Sequence, residues 1–281
     1  MALNHGGTMT QTEPALVTPG NLVLAERRGR VLVLTLNRPD RLNAWNDDLE
    51  DQYFELLTQA DNDPEIGSIV VTGAGRGFCA GADMDDLRSA GNPLDGPASA
   101  RPLPRSFPLT IRKPLIAAIN GAAAGLGLVE ALYCDVRLAV PAAKLTTSFA
   151  RRGLIAEYGA AWLLPRLVGT SVALDLLMSA RIVLGDEAAA IGLVNRVVAP
   201  ESLLDEAISY ASDLATLCSP WAMSTIKQQV YEGLATDFQA AVGTADRLMV
   251  DAFTRPDAAE GVASFLEARP PSFASLPERV A

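Results

Sequence analysis

Hydrophobic and polar positions alternate in short blocks along this chain, and the period of the alternation changes from block to block. Two leucine- and valine-rich runs, 21–25 and 31–37, flank the polar stretch Glu26-Arg27-Arg28-Gly29-Arg30 and predict a hairpin turning near Gly29. Arg38-Pro39-Asp40 breaks the second strand. Asn46 then stands where a helix N-cap belongs, with Leu49, Tyr53, Leu56 and Leu57 recurring at helical spacing as far as Ala60. Residues 69–72 read as a short buried strand ending at Gly73-Ala74-Gly75, and 115–119 as another that leads into Gly121. A helix of small residues follows over 126–134, and further short strands over 136–140, 144–147 and 194–198. Short strands alternating with helices predict an α/β fold.

Between Ser89 and Pro114 the pattern is lost. Pro93, Pro97, Pro102, Pro104 and Pro108 fall among Gly, Ser and Asn, which excludes a long helix or a central strand and predicts a long loop that can act as a lid. From Pro200 onward the spacing is helical. Amphipathic stretches cover 203–217, 221–234, 237–253 and 257–268, and Ser219-Pro220 supplies an N-cap followed by proline at the first helical position. The expected organisation is an irregular extension over 1–20 (with a true start near Met9), a mixed core over 21–199 and a helical region over 200–281.

Composition narrows the chemistry. Of 281 residues, 49% are hydrophobic and 20% charged, enough for a sizeable core. The formal charge of −10 and the lack of a basic block speak against nucleic acid and anionic membrane surfaces as partners. His5 is the sole histidine and lies in the irregular N-terminal stretch, which removes Ser-His-Asp triads and histidine metal sites from consideration. Three dispersed cysteines, Cys79, Cys134 and Cys218, fit a reducing compartment, and no signal peptide or spanning segment is read; a cytoplasmic location is expected.

Two glycine-rich turns carry the chemistry that remains. Phe-Cys-Ala-Gly-Ala-Asp-Met (78–84) and Asn-Gly-Ala-Ala-Ala-Gly-Leu-Gly-Leu-Val (120–129) each sit where a strand hands over to a helix, leaving backbone N–H groups exposed at a helix N-terminus. Side by side, two such turns can aim two donors at one oxygen. The alternative is that Gly and Ala merely permit close packing; a dinucleotide site is disfavoured because the G-x-G-x-x-G spacing is missing.

These segments, together with NRPDRLNA (37–44), GLIAEYGAAWLLPRLVG (153–169) and FLEARPPSF (265–273), resemble the signature segments of the crotonase, or enoyl-CoA hydratase/isomerase, superfamily, in order and over nearly the whole chain after residue 20. The resemblance implies a spiral of repeated ββα units, a helical C-terminal region that mediates trimerisation into a homotrimer or hexamer, and an acyl-CoA substrate handled without metal or other cofactor. It implies that the backbone N–H groups of Ala82 and Leu126 form an oxyanion hole. It also implies that Arg41, Leu42, Ala44, Ala80, Gly81, Asp83 and Met84 line the CoA nucleotide and that Phe253 packs on CoA. For Arg41 the alternative is a solvated loop arginine, for Phe253 packing into a helical core, and for Asp83 capping of a helix that begins at Met84.

The two glutamates of family hydratases match Val129 and Phe149 here, and neither apolar residue can activate water. Glu130 stands one position beyond the first, turned about 100° on its helix, and reads as structural or interfacial, with a secondary acid as its other reading. Glu157 matches the position where family isomerases carry an aspartate or glutamate near the substrate γ carbon, so the resemblance makes it the proton carrier; a helix-start carboxylate is its structural alternative. The implied activity is proton transfer on an unsaturated fatty acyl-CoA, with double-bond isomerisation favoured and hydration possible. The alternatives are a silent acyl-CoA-binding scaffold and an acyl-CoA hydrolase.

Overall fold

A computed structural model describes residues 21–83 and 101–279. The extension expected over 1–20, Met84 and the first part of the proline-rich loop lie outside those residues.

Strands β1 (Val23–Arg28) and β2 (Val31–Leu36) pair antiparallel in strict register, from Val23 opposite Leu36 to Arg28 opposite Val31, and Gly29 takes the left-handed conformation in the turn between them (φ +62°). From β2 onward the sheet is parallel. Strands β3 (Ser68–Gly73), β5 (Leu115–Ile119), β7 (Val136–Ala139) and β9 (Arg196–Val197) add successively, giving a six-stranded sheet of order β1-β2-β3-β5-β7-β9. Every residue of β3 and β5 is buried, as expected of parallel strands covered on both faces.

A second sheet arises because three of these strands turn into a short partner within a few residues. Strands β4 (Gly77–Cys79), β6 (Ala122–Ala124) and β8 (Leu145–Thr146) form a parallel three-stranded sheet, so that β3-β4, β5-β6 and β7-β8 repeat as ββ units along a spiral. Helix α1 (Asp47–Asn62) starts at the expected cap, where the Asn46 side chain accepts from Leu49 N–H, and it buries Leu49, Tyr53 and Leu57. Helix α2 (Leu126–Tyr133) follows β6 directly and is buried along its whole length.

Helices α3 (Ala160–Val168), α4 (Thr170–Ser179) and α5 (Gly185–Ala190) precede β9. Then α6 (Leu203–Leu217) lies on the large sheet. Its Ala207, Ala211 and Ala215 are buried, and a β-carbon on Gly67 would sit 2.6 Å from that of Ala215, so small residues on both sides set the approach. Helices α7 (Pro220–Gly233), α8 (Phe238–Thr254) and α9 (Pro256–Leu266) pack mainly on one another. Lys227 of α7 ties this group to the core through an ion pair of 2.8 Å with Asp135, whose carboxylate also accepts from Leu115 N–H. Arg137, two residues on, donates instead to the carbonyls of Leu193 and Cys134. No helix among the described residues is long and apolar enough to cross a membrane.

Candidate active site

The two glycine-rich turns meet. Gly81 has φ +97°, and a β-carbon there would stand 2.7 Å from the Ala124 carbonyl oxygen and 3.8 Å from Leu126 N, so only glycine lets the two backbones abut. Gly125, at φ +52° and ψ −122°, turns the chain from β6 into the first residue of α2. Ala82 pairs with Trp45 as a parallel bridge: Trp45 N–H donates to Gly81 O (2.7 Å) and Asp83 N–H to Trp45 O (2.8 Å). Alternation along an extended strand then turns the Ala82 N–H to the opposite side, away from Trp45. Leu126 opens α2, where the first N–H groups have no partner within the helix. Neither amide hydrogen-bonds a described residue. Two unsatisfied main-chain donors on adjoining segments, one at a helix N-terminus, are what an oxyanion requires.

The segment 38–45 runs along the same turn. Leu42 and Asn43 both have positive φ (+50° and +56°), and this contorted loop is held by the buried Asn43 side chain. Its Oδ1 accepts from Arg38 N–H (2.8 Å), and its Nδ2 donates to the carbonyls of Ala74 (3.0 Å) and Gly77 (2.8 Å). Leu42 O accepts from Ala80 N–H (3.0 Å). Arg41, Leu42 and Ala44 are therefore brought beside Ala80, Gly81 and Asp83, with Arg41 exposed. The Asp83 carboxylate receives Arg38 at 2.7 Å, while its expected capping of a helix at Met84 falls outside the described residues. Phe253 is not in a helical core: it stands 76% exposed on α8, so the packing alternative fails within a single chain.

Val129 and Phe149 are buried and apolar, at 1% and 5% exposure. Glu157 is half-buried just before α3, beside the Tyr158 and Gly159 that line an open cleft of about 400 Å³ together with Arg105, Leu109, Tyr133 and Trp162. Glu130 does face a neighbouring element, as its position on the helix predicted, and its burial goes further than the sequence suggested. It is 3% exposed, and neither carboxyl oxygen has a hydrogen-bond partner among the described residues. Burial first, and then the nearby Glu50, push its pKa well above the usual carboxylate range, and Arg105 opposes them.

Sequence reasoning missed the group around Glu50. This fully buried residue of α1 accepts from Trp45 Nε1 (2.7 Å) and forms ion pairs with Arg105 Nε (3.1 Å) and Arg101 Nε (2.7 Å). A signal was present: Glu50 lies within the stripe Leu49, Tyr53, Phe54 and Leu57, an acid on an apolar helix face, which demands a partner.

The spiral of ββ units closed by a helical C-terminal region makes this a crotonase-fold protein. The sequence profile of the family described as enoyl-CoA hydratase/isomerase matches residues 26–276. Over 257 residues the chain is 35% identical to the 1,2-epoxyphenylacetyl-CoA isomerase of Escherichia coli K12, a match covering 89% of this chain and 97% of that protein. It is 33% identical over 260 residues to the short-chain-enoyl-CoA hydratase of Clostridium acetobutylicum, covering 89% and 96%. Among solved structures, an enoyl-CoA hydratase from Mycobacterium marinum is 50% identical, covers 75% of this chain and 96% of its own, and has a TM-score of 0.64. A Geobacillus kaustophilus enoyl-CoA hydratase subunit I superposes at a TM-score of 0.83 with 31% identity, covering 90% and 98%. The chain belongs to the enoyl-CoA hydratase/isomerase family and is an enzyme of that type.

Proposed function

We propose that the protein moves a double bond in an unsaturated fatty acyl-CoA by proton transfer, with hydration as the secondary possibility. The thioester oxygen accepts from the N–H groups of Ala82 and Leu126. The Glu157 carboxylate takes a proton from the α carbon of a 3-enoyl thioester; the electron pair delocalises onto the thioester oxygen; and the same group returns the proton at the γ carbon, giving the 2-enoyl product. No cofactor is needed, since coenzyme A is part of the substrate. Arg41 serves the CoA phosphates, and Leu42, Ala44, Ala80, Gly81, Asp83 and Met84 serve its nucleotide.

The observation that carries this reading is helix α2. Leu126 opens it, and Tyr133, at its far end, holds the Tyr158 carbonyl next to Glu157 (2.5 Å). Seven residues of α-helix span about 10 Å, so one rigid element couples the Leu126 donor to the acid/base segment. The apolar Val129 and Phe149 favour isomerisation, because neither holds a water.

The exposed Phe238, Phe253, Phe265 and Leu266 on α8 and α9 favour a homotrimer or hexamer, in which Phe253 can reach CoA across a subunit boundary. A stable monomer by light scattering at micromolar concentration would contradict that. A cytoplasmic location agrees with this substrate. The deciding experiment is product analysis from trans-2- and cis-3-enoyl-CoA in deuterated water. Isomerisation gives the shifted alkene with deuterium exchange, hydration gives the 3-hydroxyacyl product, and tight binding without turnover would refute the enzymatic reading.

A further inference from the structure

Tyr158 carries a backbone conformation that its side chain disfavours. Its φ is +51°, in the left-handed region, where a β-carbon crowds the following carbonyl oxygen. Glycine or asparagine would fill this turn more easily, and a strained bulky residue persists only where its surroundings over-determine it. Here two elements do so. Tyr133 Oη, from the end of α2, donates to the Tyr158 carbonyl at 2.5 Å. Arg105 donates from Nη1 to Tyr158 Oη at 3.0 Å, with its guanidinium carbon 4.8 Å from the ring centroid. Arg105 is itself anchored on the buried Glu50, which accepts from Trp45, the residue whose backbone pairs with Ala82. Both routes lead back to an oxyanion donor, one through α2 to Leu126 and the other through Glu50 and Trp45 to Ala82.

We propose that Tyr133 and Arg105 are positioning residues that act through Glu157, gripping Tyr158 at its carbonyl and its phenol so that the carboxylate one residue upstream is held in register with the oxyanion donors. This rests on Glu157 as the proton carrier. The clamp residues line the cleft beside Glu157, and the role assigned to them is to set the position of its carboxylate. The clamp fixes the distance between the point where charge develops and the group that moves the proton, and a misplacement of about 1 Å at such a point costs on the order of 10²-fold in rate.

The test is a double-mutant cycle. Tyr133→Phe deletes one hydroxyl and keeps the ring; Arg105→Met deletes the second grip. Each is made alone and in a Glu157→Gln background, with kcat and KM measured for one enoyl-CoA and folding checked by melting temperature. The expected result is that each single variant lowers kcat by about 10- to 100-fold, leaves KM within about threefold, and has no further effect on the residual rate once Glu157 is Gln. Full additivity with Glu157→Gln, or wild-type kcat in both variants, overturns the clamp. If Glu157→Gln itself keeps wild-type turnover, the assignment of the proton carrier fails instead, and the two failures are distinct. Should Tyr133→Phe lose its fold, the Arg105→Met arm decides alone, because that side chain lies at the partly exposed rim.

Discussion

Replacing Glu130 by Gln should make the protein's stability less sensitive to pH, and the size of the effect follows from the surroundings of the carboxyl. Both of its oxygens are buried without a partner among the described residues, and burial and Glu50 hold its pKa well above the ordinary value of 4.5. Between that ordinary value and the raised one, the unfolded chain has released a proton that the folded chain still binds. Stability therefore falls as pH rises through this window, by up to about 1.4 kcal/mol per pH unit, and levels off above the folded pKa. Gln has nearly the same size and cannot ionise, so the variant lacks this slope. Any cost of burying the amide is the same at every pH and does not alter the comparison. Urea unfolding followed by circular dichroism at pH 5.5 and 6.5 should show the Glu130→Gln midpoint gaining on wild type between the two. With an m-value of about 3 kcal/mol/M, the gain is at most about 0.5 M. A difference between the two proteins that stays flat from pH 5 to 8 would mean that Glu130 is ionised in the folded state, and the reasoning from its orphaned oxygens would be wrong.

Glu157→Gln should lower kcat by at least about 10²-fold with little change in acyl-CoA affinity, measured by steady-state turnover and by titration calorimetry. Gly81→Ala should abolish turnover in a protein that still folds, since the new methyl would meet the Ala124 carbonyl at 2.7 Å and part the two donor segments; wild-type activity in this variant would refute the hole. Burial pushes the Cys79 thiol up to about 12 and raises Cys134 as well, so a maleimide at pH 7.5 should label only Cys218 in the native protein, as read by mass spectrometry.

Elements with a clear period were legible in the sequence. The hairpin around Gly29, the Asn46 cap and the strand at Ser68–Gly73 stand within a few residues of expectation, as does α6, because each combines a full stripe of apolar residues with a recognisable end signal. Of the small sheet only β8 stands where a strand was expected, over 144–147. Strands β4 and β6 are three residues each, too short to show alternation, and their glycines and alanines read as turns. At the site, the backbone donors could be located because glycine marks where two chains must touch. The buried partnership of Glu50 with Arg105 and Arg101 was only half visible: an acid on the apolar face of α1 signals a partner, and the proline-rich loop leaves no periodic trace of which one. Glu130 illustrates the same limit: helical geometry gave its direction and left open that its carboxyl meets no hydrogen-bond partner among the described residues.

The donors proposed for the thioester oxygen are main-chain groups, and that shapes how this activity can be lost. A side-chain scan would pass over them, since Ala82 is already alanine and Leu126 contributes only its amide. Inheritable damage to the hole must come through the backbone, by a proline at either position or by any β-carbon at Gly81. Substitution at Leu126 is limited by packing rather than by the chemistry, because its side chain is buried in the core while the proposed role uses only its amide.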